Sequence, residues 1–247
     1  MFFTYQYTID TRDTDPFGQC RPSALLGILQ EAATEAAVAL KLSREEMLER
    51  YNCFWMLARI WYRLERPIYW NETVTIKTWH RGGKAASVYR DFDLYVGDDW
   101  VGEAVSTWVL ADQDTHKLMR LSEVKEFEDT TGGDLCKDRR LGKLRLPEGM
   151  ALAEERTLHY SDADINRHVN NSHYADVICD ALHLERLGEG KFVSSLQVSY
   201  LAECFPGETL RIDTGEAEGL WYVHGSDREG MSRFDGTLGL TALPEEN

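Results

Sequence analysis

Long apolar runs are missing from these 247 residues, and no uninterrupted stretch approaches the length needed to cross a bilayer. Basic residues are also scarce. With 27 Lys and Arg against 42 Asp and Glu, the formal net charge is −15, which argues against general nucleic-acid binding. Only five cysteines occur (Cys20, Cys53, Cys136, Cys179 and Cys204), widely scattered and with no CxxC pair. That argues against a disulfide framework or a zinc knuckle and for a reducing cytosol. The opening Met1-Phe2-Phe3-Thr4-Tyr5-Gln6-Tyr7 lacks the basic head and apolar core of a secretory signal, so a cytoplasmic protein is expected. What is present is a globular mix, 43% hydrophobic and 28% charged, enough for one large domain or two.

Periodicity divides the chain into two similar series. Residues 2–10 alternate as a strand, and Arg12 to Gly18 reads as a turn. Pro22 and Ser23 then open an apolar helix through Leu25, Ile28, Leu29, Ala32, Ala36 and Leu40, alanine-rich enough to lie close against a sheet. Ser43-Arg44-Glu45-Glu46 is a capping box for a short second helix. Strand-like runs follow near 53–66, 72–81, 86–97 and 100–111, with Gly82-Gly83 and Gly97-Asp98-Asp99 as turns. A polar, glycine-containing stretch separates an N-terminal unit, 1–130, from a C-terminal one, 150–247, with 131–149 as the linker. The second unit repeats the order: a strand at 151–159, a polar loop, a helix from about 171 to 187, and strands near 192–203, 207–218, 220–226 and 231–242. Helix followed by antiparallel strands is an α+β pattern, not Rossmann alternation.

The repetition extends to residues. Asp13 to Gln19 lies over Asp162 to His168 at a constant offset of 149, and Glu72 to Ile76 lies over Glu208 to Ile212 at 136. The 13-residue difference falls where the first unit carries its extra helix, which favours a duplicated unit. The copies are unequal. Where the second has Asn166 and His168, the first has Phe17 and Gln19, and Pro67 stands opposite Glu203.

The stretch from Ser161 to Tyr174 concentrates Asp162, Asp164, Asn166 and His168 just before an apolar helical period. A helix N-terminus offers unpaired N–H groups and a positive dipole end, the arrangement a developing oxyanion needs. Several readings compete. An EF-hand fails, because Arg167 stands where glycine is required and His173 where glutamate is. His159, His168, His173 and His183 match no zinc-ligand spacing. Read as structure alone, the stretch is an Asp/Asn helix cap beside a hydrogen-bonded histidine.

Taken whole, Ser-Asp-x-Asp-Ile-Asn-x-His-Val-Asn-Asn-x-x-Tyr at 161–174 resembles the signature of acyl-ACP thioesterases, the plant plastid enzymes and their bacterial relatives. Tyr200-Leu201-Ala202-Glu203-Cys204 is similar to that family's second motif, and the likeness extends over Arg59 to Thr78-Trp79 and Ser106 to Leu110. The resemblance implies a tandem hot-dog fold, each half a central helix wrapped by an antiparallel sheet. It implies hydrolysis of fatty acyl-ACP to free fatty acid and carrier thiol, with no metal and no organic cofactor. The catalytic residues it implies are Asp164, Asn166, His168 and Glu203. Glu203, helped by Asp164, would activate water, while His168 and Asn166 position it and N–H groups near Val169 to Asn171 hold the oxyanion.

Alternatives stay open at this point. Cys204 with His168 and Asn166 would make a nucleophilic constellation. Glu203 is preferred because neighbours on an expected strand point to opposite faces, so only one of them faces His168. An acyl-CoA thioesterase, a non-catalytic acyl-binding module and a hot-dog hydratase are the rival functions. The resemblance also implies that the N-terminal unit shapes the acyl tunnel, with Trp55, Met56, Trp61, Tyr69, Trp70 and Trp79 as wall candidates that serve equally as core. The acidic acyl carrier protein would need a basic patch on this acidic chain. The densest run is Lys137, Arg139, Arg140, Lys143 and Arg145, with Arg59, Arg63 and Arg66 weaker; a homodimer is left open.

Overall fold

In the computed structural model, residues 2–124 and 141–243 are described. Among the described residues ten antiparallel strands form one sheet: β1 (Phe2–Thr8), β2 (Cys53–Leu64), β3 (Thr73–Lys84), β4 (Ser87–Val96), β5 (Asp99–Asp112), β6 (Ala151–Thr157), β7 (Lys191–Tyr200), β8 (Thr209–Ala217), β9 (Leu220–Ser226) and β10 (Ser232–Ala242). The order across it is β1-β3-β4-β5-β2-β7-β10-β9-β8-β6. The second half repeats the first half's order in mirror sequence about the β2–β7 seam. At that seam Trp61 pairs with Gln197, two positions exactly one 136-residue repeat offset apart. A pseudo-two-fold axis therefore passes through this pair, both members of which are buried.

The helices are α1 (Pro22–Ala39), α2 (Arg44–Tyr51), α3 (His173–Ala181) and α4 (Leu184–Leu187). Proline suits the first turn of α1, where its missing N–H costs nothing. Leu25, Leu29, Ala32 and Ala36 then bury one face of that helix almost completely. Ser43 and Glu46 close the capping box of α2 reciprocally. α1 and α3 lie side by side on one sheet face, joined by Asn171 Nδ2 donating to Gln30 Oε1 at 3.2 Å. One hydrophobic core runs beneath both, from Ile76 and Phe92 through Ile60 and Val198 to Phe234 and Ile212. Two helix-on-sheet units fused edge to edge make the double hot-dog arrangement.

Three local expectations are corrected. Gly82-Gly83 does not make the β3–β4 turn; β3 runs on to Lys84, and Ala85 takes the left-handed conformation at φ 58°. Gly83 is needed instead for close approach, since a Cβ there would meet the Ser87 carbonyl oxygen at 2.6 Å. The helix expected from 171 to 187 is two helices, broken where His183 adopts φ 53°. And β7 stops at Tyr200, because the N–H groups of Leu201 and Ala202 both turn to the Arg233 carbonyl, at 2.9 and 3.1 Å. Glu203 and Cys204 therefore lie on a loop, not a strand.

Of the expected linker, residues 131–140 lie outside the described residues. The part from Leu141 crosses the sheet face away from the helices. Leu141 packs there on Trp61 and Val105, and Pro147 and Met150 close over Gly215.

Candidate functional site

The polar loop is a tight turn built by its own carboxylates. Asp164 N–H donates to the His168 carbonyl at 3.0 Å, and Arg167 N–H to the Asp164 carbonyl at 3.0 Å. The Asp164 carboxylate accepts Asn166 N–H at 2.7 Å and, more loosely, Asn166 Nδ2 at 3.4 Å. Asp162 caps the approach, accepting His159 N–H at 2.7 Å. The first half builds the same turn. Asp15 N–H donates to the Gln19 carbonyl at 2.8 Å, the Asp15 carboxylate accepts Phe17 N–H at 2.9 Å, and Asp13 accepts Asp10 N–H at 3.0 Å. Even the isolated bridges correspond, Thr14 with Cys20 and Ala163 with Val169. The two aspartates thus have a turn-building task that both halves need, whatever else the second pair does.

What differs is the side chains that the turn presents. In the second half the His168 imidazole stands beside the Glu203 carboxylate, Nε2 to Oε1 3.9 Å, with about a quarter of each side chain exposed. Phe205 meets the imidazole edge-on at 6.5 Å between centroids. The Glu203 loop is held against the polar turn by Val169 N–H donating to the Cys204 carbonyl at 2.8 Å. Asn166 is exposed at the turn's tip, beside Asp164 and on the same loop as His168. In the first half the matching groups are spent on packing. Gln19 is buried with Nε2 donating to the Lys191 carbonyl at 2.9 Å, and Phe17 lies over Gly188.

Cys204 faces the opposite way. It is fully buried in the main core, its thiol hydrogen-bonded to the Tyr174 hydroxyl, and burial pushes the thiol above its ordinary pKa. A thiolate there would be unfavourable. Glu203 and Cys204 do face apart as expected, but a loop rather than strand alternation divides them.

Two of the three N–H groups expected to hold the oxyanion are spent. Val169 N–H is taken by Cys204, and Asn170 N–H donates to the Asp162 carbonyl at 2.9 Å, so neither is free to stabilise charge. Among the wall candidates, Trp61 lies on the face away from the helices, and Tyr69 and Trp70 are largely exposed. Trp79 is buried against Phe2.

Sequence reasoning missed a groove of about 390 Å³ between α1 and the start of α3, lined among others by Tyr7, Asp13, Arg21, Gln30, His173 and Asp176. Asn170, two residues beyond His168, also lines it. Within it Tyr7 donates to Asp13 at 2.9 Å, and burial with that bond pushes the phenol up to about 12. His173 lies 3.4 Å from Asp176, which raises its pKa. The sequence signal was the His-x-x-Asp spacing that brings two side chains together on a helix. The groove itself draws on both halves and has no local signature. Among the described residues no cluster of His, Cys, Asp and Glu has the geometry to hold a metal ion.

Comparison with known proteins then decides the family. The model of the acyl-ACP thioesterase N-terminal domain matches residues 1–127, and that of the C-terminal domain matches 149–232. The chain belongs to the acyl-ACP thioesterase family. Among curated family members, a chloroplastic acyl-acyl-carrier-protein hydrolase of Cuphea viscosissima is 30% identical over 79% of this chain and 52% of its own length. A chloroplastic dodecanoyl-acyl-carrier-protein hydrolase of Cinnamomum camphora is 25% identical over the whole chain and 72% of its own length. The chain spans about half the length of the first curated relatives it matches. The fold is shared with the solved acyl-ACP thioesterase of Bacteroides thetaiotaomicron, TM-score 0.89 at 23% identity, covering 97% of this chain and 98% of that one. It is shared too with the 12:0-ACP thioesterase of Umbellularia californica, TM-score 0.84 at 21% identity, covering 98% and 97%. No single helix among the described residues of this family member is long and apolar enough to cross a membrane.

Proposed function

We propose that the chain hydrolyses fatty acyl-ACP thioesters to free fatty acid and carrier thiol, at one centre in its C-terminal half. The observation that carries the reading is the approach of the Glu203 carboxylate to the His168 imidazole, set against the first half, where Pro67 and the packed Gln19 occupy the same two places. Water is a poor nucleophile near neutral pH, so a base must take its proton as it attacks. Glu203 is that base, and His168, 3.9 Å away, orients the same water. Asp164 holds the turn that carries Asn166, and the loosely held Asn166 amide is the donor available to the thioester oxygen. Cys204 serves packing.

The N-terminal half, about residues 1–130, shapes the acyl site, and the C-terminal half, about 150–247, carries the chemistry. The groove between α1 and α3 is the space beside the loop into which substrate can reach. An acidic carrier needs a cation near the loop. Of the basic run, Lys137, Arg139 and Arg140 lie outside the described residues, and the exposed Lys143 and Arg145 sit on the segment crossing the far face of the sheet. Arg167, exposed between Asn166 and His168, is better placed to meet the carrier.

Thiol release from a panel of acyl-ACP and acyl-CoA chain lengths tests the reading. Turnover of acyl-ACP well above acyl-CoA is expected, with Glu203→Gln lowering kcat by about 10²-fold or more and Cys204→Ala keeping most of it. The reverse ranking of the two variants would make the thiol the nucleophile, and equal use of both carriers would remove the carrier assignment.

A further inference from the structure

Resting on the proposed role of Glu203, we infer that Arg233 on β10 is its positioning residue, a guanidinium clamp that fixes the loop carrying the base. Glu203 lies three residues beyond the end of β7, so no strand pairing holds it. Arg233 supplies the missing restraint. Its Nη1 donates to the main-chain carbonyl of Glu203 itself at 2.6 Å. Its Nη2 reaches Glu208 Oε1 at 3.3 Å and Asp227 Oδ2 at 3.1 Å, and its own carbonyl accepts the N–H groups of Leu201 and Ala202. Both ends of the loop are thereby tied to one residue of a neighbouring strand.

The duplicated half supplies an internal control. There Arg66 Nη1 donates to the Pro67 carbonyl at 2.8 Å and to Glu72 Oε2 at 2.9 Å. At the 136 offset Pro67 stands over Glu203 and Glu72 over Glu208, yet Arg66 stands over Ala202. The cation arrives from different places in the two copies and meets the same carbonyl and the same glutamate. In each copy that glutamate also accepts a turn N–H, from Tyr69 at 2.7 Å and from Phe205 at 3.0 Å. A guanidinium at this spot is what the turn needs. In the first half the clamped residue is an inert proline, whereas in the second it is the residue whose carboxylate must meet His168. Asp227 adds a third tie in the second copy only. It belongs to the β9–β10 turn, where its Oδ1 accepts the N–H groups of Glu229 and Met231 at 3.0 and 2.8 Å.

Loosening this clamp should misplace the base without touching substrate, and a misplacement of about 1 Å can cost on the order of 10²-fold in rate. The test is kcat and KM for acyl-ACP, with the melting temperature, on the full chain. Arg233→Met is expected to lower kcat by about 10- to 100-fold while KM stays within about twofold. Glu72→Gln, which loosens the equivalent clamp in the first half, should lower the melting temperature yet leave kcat within about twofold. Combining Arg233→Met with Glu203→Gln should lower kcat no further than Glu203→Gln alone, since a residue acting through another adds nothing once that one is gone. If Arg233→Met does not fold, Arg233→Lys, which keeps the charge but cannot span the three acceptors, should show a smaller loss of the same kind. An unchanged kcat in the Arg233 variants, or losses that multiply in the double variant, would overturn the inference. Full activity in Glu203→Gln would overturn the functional reading with it, whereas an inactive Glu203→Gln beside a fully active Arg233→Met would overturn this inference alone.

Discussion

At the scale of single residues, the polar loop shows how one backbone shape serves two ends. Its sixth position is left-handed in both copies, φ 75° at Gly18 and 68° at Arg167. Glycine takes this conformation without steric cost, while a residue with a Cβ pays about 1 kcal/mol or more. Gly18 has open space around it, so only the backbone angle should matter. Gly18→Ala is therefore expected to cost about 1 kcal/mol, roughly 2–4 °C in melting temperature for a chain of this size. Arg167→Gly should not lower the melting temperature, and thermal unfolding of the two variants checks both. A loop that keeps an arginine there forgoes some stability to hold a cation between Asn166 and His168. The residue types were legible from sequence, and so was their absence in the first copy. The turn-building task of Asp164 was not, because it is a bond to the backbone that becomes visible only beside its twin, Asp15.

At the scale of elements, strand runs and the capping box of α2 were readable from alternation and end signals, and three ends were not. The β3–β4 turn and the end of β7 each involve a partner distant in sequence, Leu121 N–H donating to the Ala85 carbonyl and the Arg233 carbonyl accepting from Leu201 and Ala202, whereas the bonds around the break at His183 are local. Packing between elements is similarly tight. A Cβ on Gly225 of β9 would meet the buried ring of Phe234 at 2.1 Å, and that ring is already set edge-on against Tyr174 of α3. A flat ring wedged between sheet and helix has little room to move. Gly225→Ala should cost about 1–3 kcal/mol by overpacking, read as a lower denaturation midpoint with an unchanged m-value. A neutral result would mean that Phe234 can be displaced, and that the floor under α3 is softer than its burial implies.

At the scale of the whole molecule, the duplication places two equivalent loops about the Trp61–Gln197 seam, and only the second carries a histidine beside a carboxylate. Placing Asn at Phe17 and His at Gln19 restores the missing side chains but not a carboxylate beside them, since Pro67 stands where Glu203 would be. It also removes the Gln19 bond to Lys191 and the ring packed on Gly188. The double variant Phe17→Asn with Gln19→His is expected to be less stable and to show no increase in turnover per chain. A doubled rate in steady-state thiol release would show that the first half retains a usable site.

The amino-acid sequence by itself determined the helix-then-strands order, the duplication and which copy keeps the polar set, because these are local periodicities and chemical types at constant offsets. Only the tertiary structure decided where Glu203 lies relative to His168, which N–H groups are spent, and how the two halves share a groove. Each of those depends on backbone bonds and packing between segments far apart in the chain, which no single stretch encodes.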